Sequence, residues 1–263
     1  MTLDFHKYHG AGNDFILLDD RDGRLGGLPA ATVARLCDRH FGIGADGLML
    51  LQAAPPPYDF RMEYYNADGS GSTLCGNGGR CIVRFAADLG IDREVYRFLA
   101  SDGPHDATPT PAGDIALEMA DVARATSVGD DLVLDTGSPH YLRFVADLTT
   151  VDVVGEGRAL RQSPAYRERG INVNFVQPTA GGLDIATYER GVEDETLACG
   201  TGVTAAAIGH LLRDTTGSDG PFHVAVRARG GQLAVTGERR GAHFTDLRLI
   251  GPAAFVFRGT ITI

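Results

Sequence analysis

Lysine is almost missing from this chain. Of its 24 basic residues only Lys7 is a lysine, so a single side-chain amine exists that could form a Schiff base with pyridoxal phosphate or a carbonyl substrate. Chemistry built on lysine is therefore not expected. Basic residues are also outnumbered by 34 acidic ones, and a formal charge of −10 argues against polyanion binding, which needs clustered Lys and Arg. No nucleic-acid partner is expected. Long apolar runs are absent too: no stretch approaches the ~18 residues needed to span a bilayer. The segment Met1 to Lys7 lacks a charged region followed by an apolar one. No membrane partner and a cytoplasmic location are the expectation. Cysteine is scarce, with Cys37, Cys75, Cys81 and Cys199 the full set and no C-x2-C pair among them. That is too few for a disulfide scaffold and the wrong spacing for zinc, so no metal site is expected and individual thiols become the reactive groups to follow.

Two of those thiols sit in near-duplicate settings. Thr73-Leu74-Cys75-Gly76-Asn77-Gly78 and Thr196-Leu197-Ala198-Cys199-Gly200-Thr201-Gly202 are each followed at once by a helix-like run. A thiol at a helix start is activated and aimed, because unpaired amides and the positive end of the helix dipole favour a thiolate there. Two such thiols suggest a matched acid and base. Cys75 and Cys199 lie 124 positions apart in 263 residues, and Gly12-Asn13-Asp14-Phe15 precedes the first at nearly the spacing by which Gly137-Ser138-Pro139-His140 precedes the second. Two copies of one supersecondary plan account for this better than chance.

With 43% hydrophobic residues the chain can fill one core or two of about 130 residues each. Strand-like segments fall at 3–19 (interrupted by the turn Gly10-Ala11-Gly12-Asn13-Asp14), 48–51, 60–65, 95–99, 115–119, 132–134, 141–145, 171–176, 183–188, 224–226, 231–235, 244–250 and 254–263. Helical spacing marks 29–41, 78–89 and 203–212, with Cys37 and Cys81 on buried faces. Many strands and few helices predict an α+β fold with strongly curved or barrel-like sheets. Cys37 and Cys81 read as structural core thiols. His140 taken alone reads as a satisfied loop histidine, and its place in the repeat brings a catalytic role level with that reading; Asn13 and Asn66 read locally as turn asparagines. Glu193-Asp194-Glu195 reads as a solvated loop.

The segments His9-Gly10-Ala11-Gly12-Asn13-Asp14-Phe15, Asn66-Ala67-Asp68-Gly69-Ser70, Cys75-Gly76-Asn77-Gly78-Gly79-Arg80, Tyr188-Glu189-Arg190-Gly191 and Ala198-Cys199-Gly200-Thr201-Gly202 together resemble the diaminopimelate epimerases. The resemblance implies two pseudo-symmetric domains, residues 1–123 plus 253–263 and residues 124–252. Each would be a mostly antiparallel curved sheet around a central helix. It implies an isomerase that needs no cofactor, inverts the α-carbon of a small amino-acid substrate, interconverts LL- and meso-2,6-diaminopimelate for lysine synthesis, and forms a homodimer.

By the same resemblance Cys75 and Cys199 exchange the proton, His140 and Glu189 assist them, and Asn13, Asn66, Ser138, Asn172, Glu189 and Arg190 bind the substrate. Gly76, Asn77, Gly200 and Thr201 offer backbone amides to its α-carboxylate. The chemistry suits these residue types. Inversion removes a proton from one face of Cα and adds one to the other, which one group does poorly. A thiol pKa of about 8.5 lets one cysteine be thiolate while its partner is thiol. The carboxylate gains enolate charge as the proton leaves, and amides at helix starts meet it. An arginine beside amide side chains suits a second charged end on the substrate.

Three departures from the family pattern touch the distal pocket: Ser138 where many members have Asn, Gly47 where Gln is common, and one extra residue in Val192-Glu193-Asp194-Glu195. Other uses of the same residues are racemisation of proline or hydroxyproline, a non-catalytic thiol switch, and, least in keeping with two equivalent thiols, a cysteine hydrolase.

Overall fold

A computed structural model describes residues 1–214 and 217–263. The chain divides into two units, Met1–Leu117 with Pro252–Ile263, and Glu118–Gly251.

In the first unit β1 (Thr2–Gly10) and β2 (Asn13–Asp20) form an antiparallel hairpin. Its two-residue turn has Ala11 and Gly12 at φ 53° and 88°, the left-handed pair that a tight hairpin needs. Asn13 and Asp14 therefore belong to the strand rather than to the turn. Helix α1 (Ala30–Cys37) leads to β3 (Gly47–Gln52), which runs parallel to β2. β4 (Phe60–Asn66) pairs antiparallel with β3 and with the short β5 (Gly71–Ser72). Helix α2 (Gly76–Asp88) follows, then β6 (Tyr96–Ala100) parallel to β4, β7 (Gly103–Pro109) and β8 (Ile115–Glu118). The C-terminal strand, Ala254–Thr262, returns to pair antiparallel with β1.

The second unit repeats that plan. β9 (Ala125–Val128) and β10 (Asp131–Asp135) pair antiparallel, as the C-terminal strand and β1 do. β11 (Pro139–Phe144) is antiparallel to β10. Helix α3 (Val153–Arg161) leads to β12 (Asn172–Thr179), parallel to β11. The hairpin β13 (Gly182–Glu189) and β14 (Asp194–Thr196) precedes helix α4 (Gly200–Arg213). β15 (Gly220–Ala228) then runs parallel to β13 and continues antiparallel into β16 (Gly231–Arg240) and β17 (His243–Gly251). This is an α+β protein of two repeated, sheet-dominated halves, and among the described residues it has four α-helices.

Each half is built around one helix. α4 packs against β10, β11, β12, β13, β15, β16 and β17, and Gly200 and residues 202–209 are all buried. A helix apolar on every side is stable only when enclosed, and its Ala-rich sequence lets strands approach closely. α2 buries Asn77 through Val83 against β1, β2 and β3. Cys81 is fully buried and Cys37 nearly so, as their helical positions predict.

Three expectations fail locally. The first helix stops at Cys37 rather than Phe41: the Asp38 carboxylate accepts from the amides of His40 and Phe41, which offers the backbone a turn in place of a helix, and Phe41 is left exposed. The acidic run is a strand start rather than a loop, with Glu193 paired to Arg161 and Glu195 to Arg229. Helix α3 was not anticipated, because Gly155 and Gly157 break its apolar pattern. Gly157 is required where a Cβ would meet Tyr188 Cβ at 2.4 Å.

Candidate active site

Cys75 and Cys199 are the residues that open α2 and α4. Both are extended, at φ −99°, ψ 129° and φ −109°, ψ 111°, and neither side chain caps its helix. The helical ladders begin with Gly79 N–H to Cys75 O and Val203 N–H to Cys199 O, at 2.7 and 2.9 Å. The amides of residues 76–78 and 200–202 precede those ladders and, with the helix dipole, form the two anion-favouring ends that the sequence pattern calls for.

Around Cys75 the polar side chains come from β2 and α2. Asn13 Nδ2 donates to Asp46 Oδ2 at 2.5 Å, which turns Oδ1 toward Asn77 Nδ2 at 3.4 Å and Cys75 Sγ at 3.7 Å. Asp46 is held in turn by Arg39 at 2.8 Å. Arg39 also forks onto Asp14, which accepts from the Asp46 amide at 3.2 Å and pairs with the buried Lys7 at 2.8 Å. Arg80 has no exposed surface. It donates to Gly76 O at 3.1 Å, Asn77 Oδ1 at 2.8 Å and Pro252 O at 3.4 Å, tying the first turn of α2 to the start of the C-terminal strand. Arg80 closes the Cys75 motif, and nothing in its sequence setting points to this burial. Asn66 bonds locally, Nδ2 to Ser70 Oγ at 3.0 Å, as a turn asparagine does.

Around Cys199 the parallel pairing of β11 with β12 sets His140 opposite Asn172. His140 is fully buried, with Nε2 2.9 Å from Thr201 Oγ1 and Nδ1 3.0 Å from Asn174 Nδ2. Thr201 Oγ1 is 3.5 Å from Cys199 Sγ. Burial, with a smaller push from the Arg190 charge, brings the imidazole down to about 3 in spite of the Asn174 hydrogen bond, so it is neutral at physiological pH. Glu189 accepts from Thr196 Oγ1 at 2.8 Å across the β13–β14 hairpin.

A third cluster gathers Ser138, Asn172 and Arg190. Asn172 Nδ2 donates to Ser138 Oγ at 2.9 Å and Pro139 O at 3.2 Å, and its Oδ1 accepts the Arg190 amide at 2.9 Å. The Arg190 guanidinium reaches Ser138 Oγ at 3.4 Å and Arg169 O at 3.2 Å. Asn172 thus engages protein groups at both ends of its amide and positions Arg190. Asn174, two residues on along the same face of β12, was not singled out from sequence; the Asn-x-Asn alternation in a buried strand was the available signal.

The family model described as diaminopimelate epimerase matches residues 5–129 and again 132–256, one copy per half. The diaminopimelate epimerase of Flavobacterium psychrophilum is 45% identical over 98% of this chain and 100% of its own length. That of Chlorobaculum tepidum is 43% identical over 97% and 99%. Among solved structures, a phenazine biosynthesis protein of the PhzF family from Bacillus anthracis superposes with TM-score 0.77 over 100% of both chains at 12% identity. A hydroxyproline epimerase from Agrobacterium vitis superposes with TM-score 0.69 over 99% and 92% at 14% identity. Those two likenesses concern the fold.

Proposed function

The chain belongs to the diaminopimelate epimerase family, and we propose that it interconverts LL- and meso-2,6-diaminopimelate in lysine biosynthesis, with Cys75 and Cys199 as its two proton carriers. The observation that carries the two-thiol scheme is that both cysteines open the matching helix of a repeated half. Inversion needs a base on one face of Cα and an acid on the other. A thiolate takes the α-proton while the opposite thiol gives its own, and the reverse reaction begins from the exchanged protonation states. The amides of Gly76, Asn77, Gly200 and Thr201 meet the enolate charge growing on the α-carboxylate, the step that makes so weak a carbon acid reactive. Arg190, set by Ser138 and Asn172, takes the distal carboxylate. His140, Glu189, Asn13 and Asn66 belong to the proposed site as well. The scheme uses no cofactor.

No described helix is long and apolar enough to cross a membrane. Reduced thiols call for a reducing compartment, and a cytoplasmic setting is part of the proposal. So is a homodimer, supported by the exposed Phe255, Val256 and Phe257 on the C-terminal strand.

Proton NMR of LL-diaminopimelate in deuterated buffer tests the activity. Deuterium entering at one α-carbon together with the meso isomer, lost in Cys75→Ala and in Cys199→Ala, is the expected result. Absence of exchange by folded, reduced protein overturns the assignment. Proline and hydroxyproline lack a distal charged end and leave Arg190 unused; run in the same assay, they separate the alternative substrates.

A further inference from the structure

The orientation of one buried amide fixes a chain of hydrogen bonds that ends on Cys199. Asn174 is fully buried, and its Nδ2 lies 3.0 Å from the backbone oxygen of Tyr141, a group that can only accept. Its Oδ1 takes the Thr187 hydroxyl at 2.9 Å. The nitrogen end therefore faces His140, and at 3.0 Å it must donate to Nδ1. With that lone pair occupied, the single ring proton of neutral His140 sits on Nε2 and is donated to Thr201 Oγ1 at 2.9 Å. Thr201, already accepting, has its own hydroxyl hydrogen left for Cys199 Sγ at 3.5 Å. With the Thr201 hydroxyl hydrogen turned to Cys199, every donor in this chain points toward the sulfur.

We propose that the Thr201 hydroxyl is the donor that holds Cys199 as a thiolate, that His140 aims this hydroxyl without acting as a base, and that Asn174 is the positioning residue that locks the His140 tautomer. The inference rests on Cys199 being one of the two reacting thiols. A general base at this position would need a bare imidazole nitrogen toward the thiol, and neither ring nitrogen offers one: Nδ1 is occupied by Asn174 and Nε2 carries the proton. His140 held in this way does not take the Cys199 proton. The Arg190 charge, on the turn after β13, disfavours an imidazolium at His140, and Glu189 accepts from Thr196 across the hairpin that leads to Cys199.

The test reads Cys199 without any substrate, so its failure is separate from failure of the epimerase assignment. Iodoacetamide alkylation of Cys199 is followed against pH by peptide mass spectrometry in the full chain and in Thr201→Val and Thr201→Ser. A lost charge-assisted hydrogen bond should raise the midpoint by about one to two pH units in Thr201→Val, and Thr201→Ser should restore it. Nitrogen-15 NMR of the unmodified protein should show His140 protonated on Nε2 alone from pH 5 to 8, and Asn174→Leu should lose that single-tautomer signature. An unchanged midpoint in Thr201→Val, a serine variant no better than valine, or a His140 protonated on Nδ1 overturns the proposal.

Discussion

The backbone amide of Arg190 donates to Asn172 Oδ1 at 2.9 Å, so the residue proposed to grip the substrate's far end is set by a side chain from the neighbouring strand. The guanidinium is a planar fork, while lysine offers a point charge that cannot engage Ser138, the Arg169 carbonyl and a carboxylate together. Arg190→Lys should raise KM for diaminopimelate roughly 10- to 100-fold with kcat within about threefold, read by steady-state kinetics. A kcat loss at constant KM would place Arg190 in the proton transfer instead.

Gly78 and Gly202 hold equivalent positions in α2 and α4, and their alanine variants should behave differently. Replacing a helical glycine by alanine normally stabilises by about 1 kcal/mol. At Gly78 the added carbon would meet Met49 Cε at 2.1 Å, the far end of a flexible side chain that can rotate away. At Gly202 it would meet Asn174 Oδ1 at 2.5 Å, and that amide is pinned by Tyr141, Thr187 and His140. Overpacking wins there. Gly202→Ala should lose about 1–3 kcal/mol in urea unfolding and most of its activity, whereas Gly78→Ala should be near neutral in stability.

The four thiols should separate by reactivity. Burial raises Cys37 to about 11 and pushes Cys81 far above its ordinary value, so both remain protonated and enclosed at neutral pH. Iodoacetamide applied to the native protein at pH 8, followed by peptide mass spectrometry, should label Cys75 and Cys199 while Cys37 and Cys81 react only after denaturation. Early labelling of Cys81 would show that the first central helix opens on its own.

Periodicity and motif spacing made the two-helix, two-thiol plan legible, because glycine-flanked cysteines before apolar helical runs leave few other arrangements. What stayed hidden depends on partners far apart in sequence. Asn174 reads as one more polar residue in a strand until the fold sets it against His140, 34 positions earlier. Arg80 looks like a surface arginine of an amphipathic helix, yet it is wholly buried because three oxygens from Gly76, Asn77 and Pro252 receive it. Helix α3 is hidden in the sequence since Gly157 serves close packing on Tyr188, and Gly155 sits against the Asp152 carboxylate, rather than helix propensity. The single lysine, too rare to suggest lysine chemistry, holds an ion pair inside the first unit.

That ion pair gives stability a definite dependence on pH. Burial by itself pushes the Asp14 carboxyl up, but hydrogen bonds and charges from Arg39 and Lys7 outweigh it and hold the group at about 2, below its ordinary 3.8. A carboxyl depressed on folding stabilises the native state fully above its unfolded value and loses that contribution as pH falls through its folded one. The window here runs from about pH 4 down to about pH 2, and the lowering corresponds to about 2 kcal/mol. The Asp14 side chain is 19% exposed, so solvent screening removes little of this. Asp14→Asn keeps the shape, removes the charge, and leaves the buried Lys7 with the Gly44 carbonyl and a neutral amide as its partners. It should cost about 2–4 kcal/mol in urea unfolding at pH 7, more than the pair itself contributes, because an ammonium group is left without a counter-charge. The gap between variant and parent should narrow from pH 4 downward, because Asp14 of the unfolded parent takes up a proton near its ordinary value while the native carboxylate stays ionised until about pH 2. A gap that stays constant over that range would mean that Asp14 acts through packing and not through its charge.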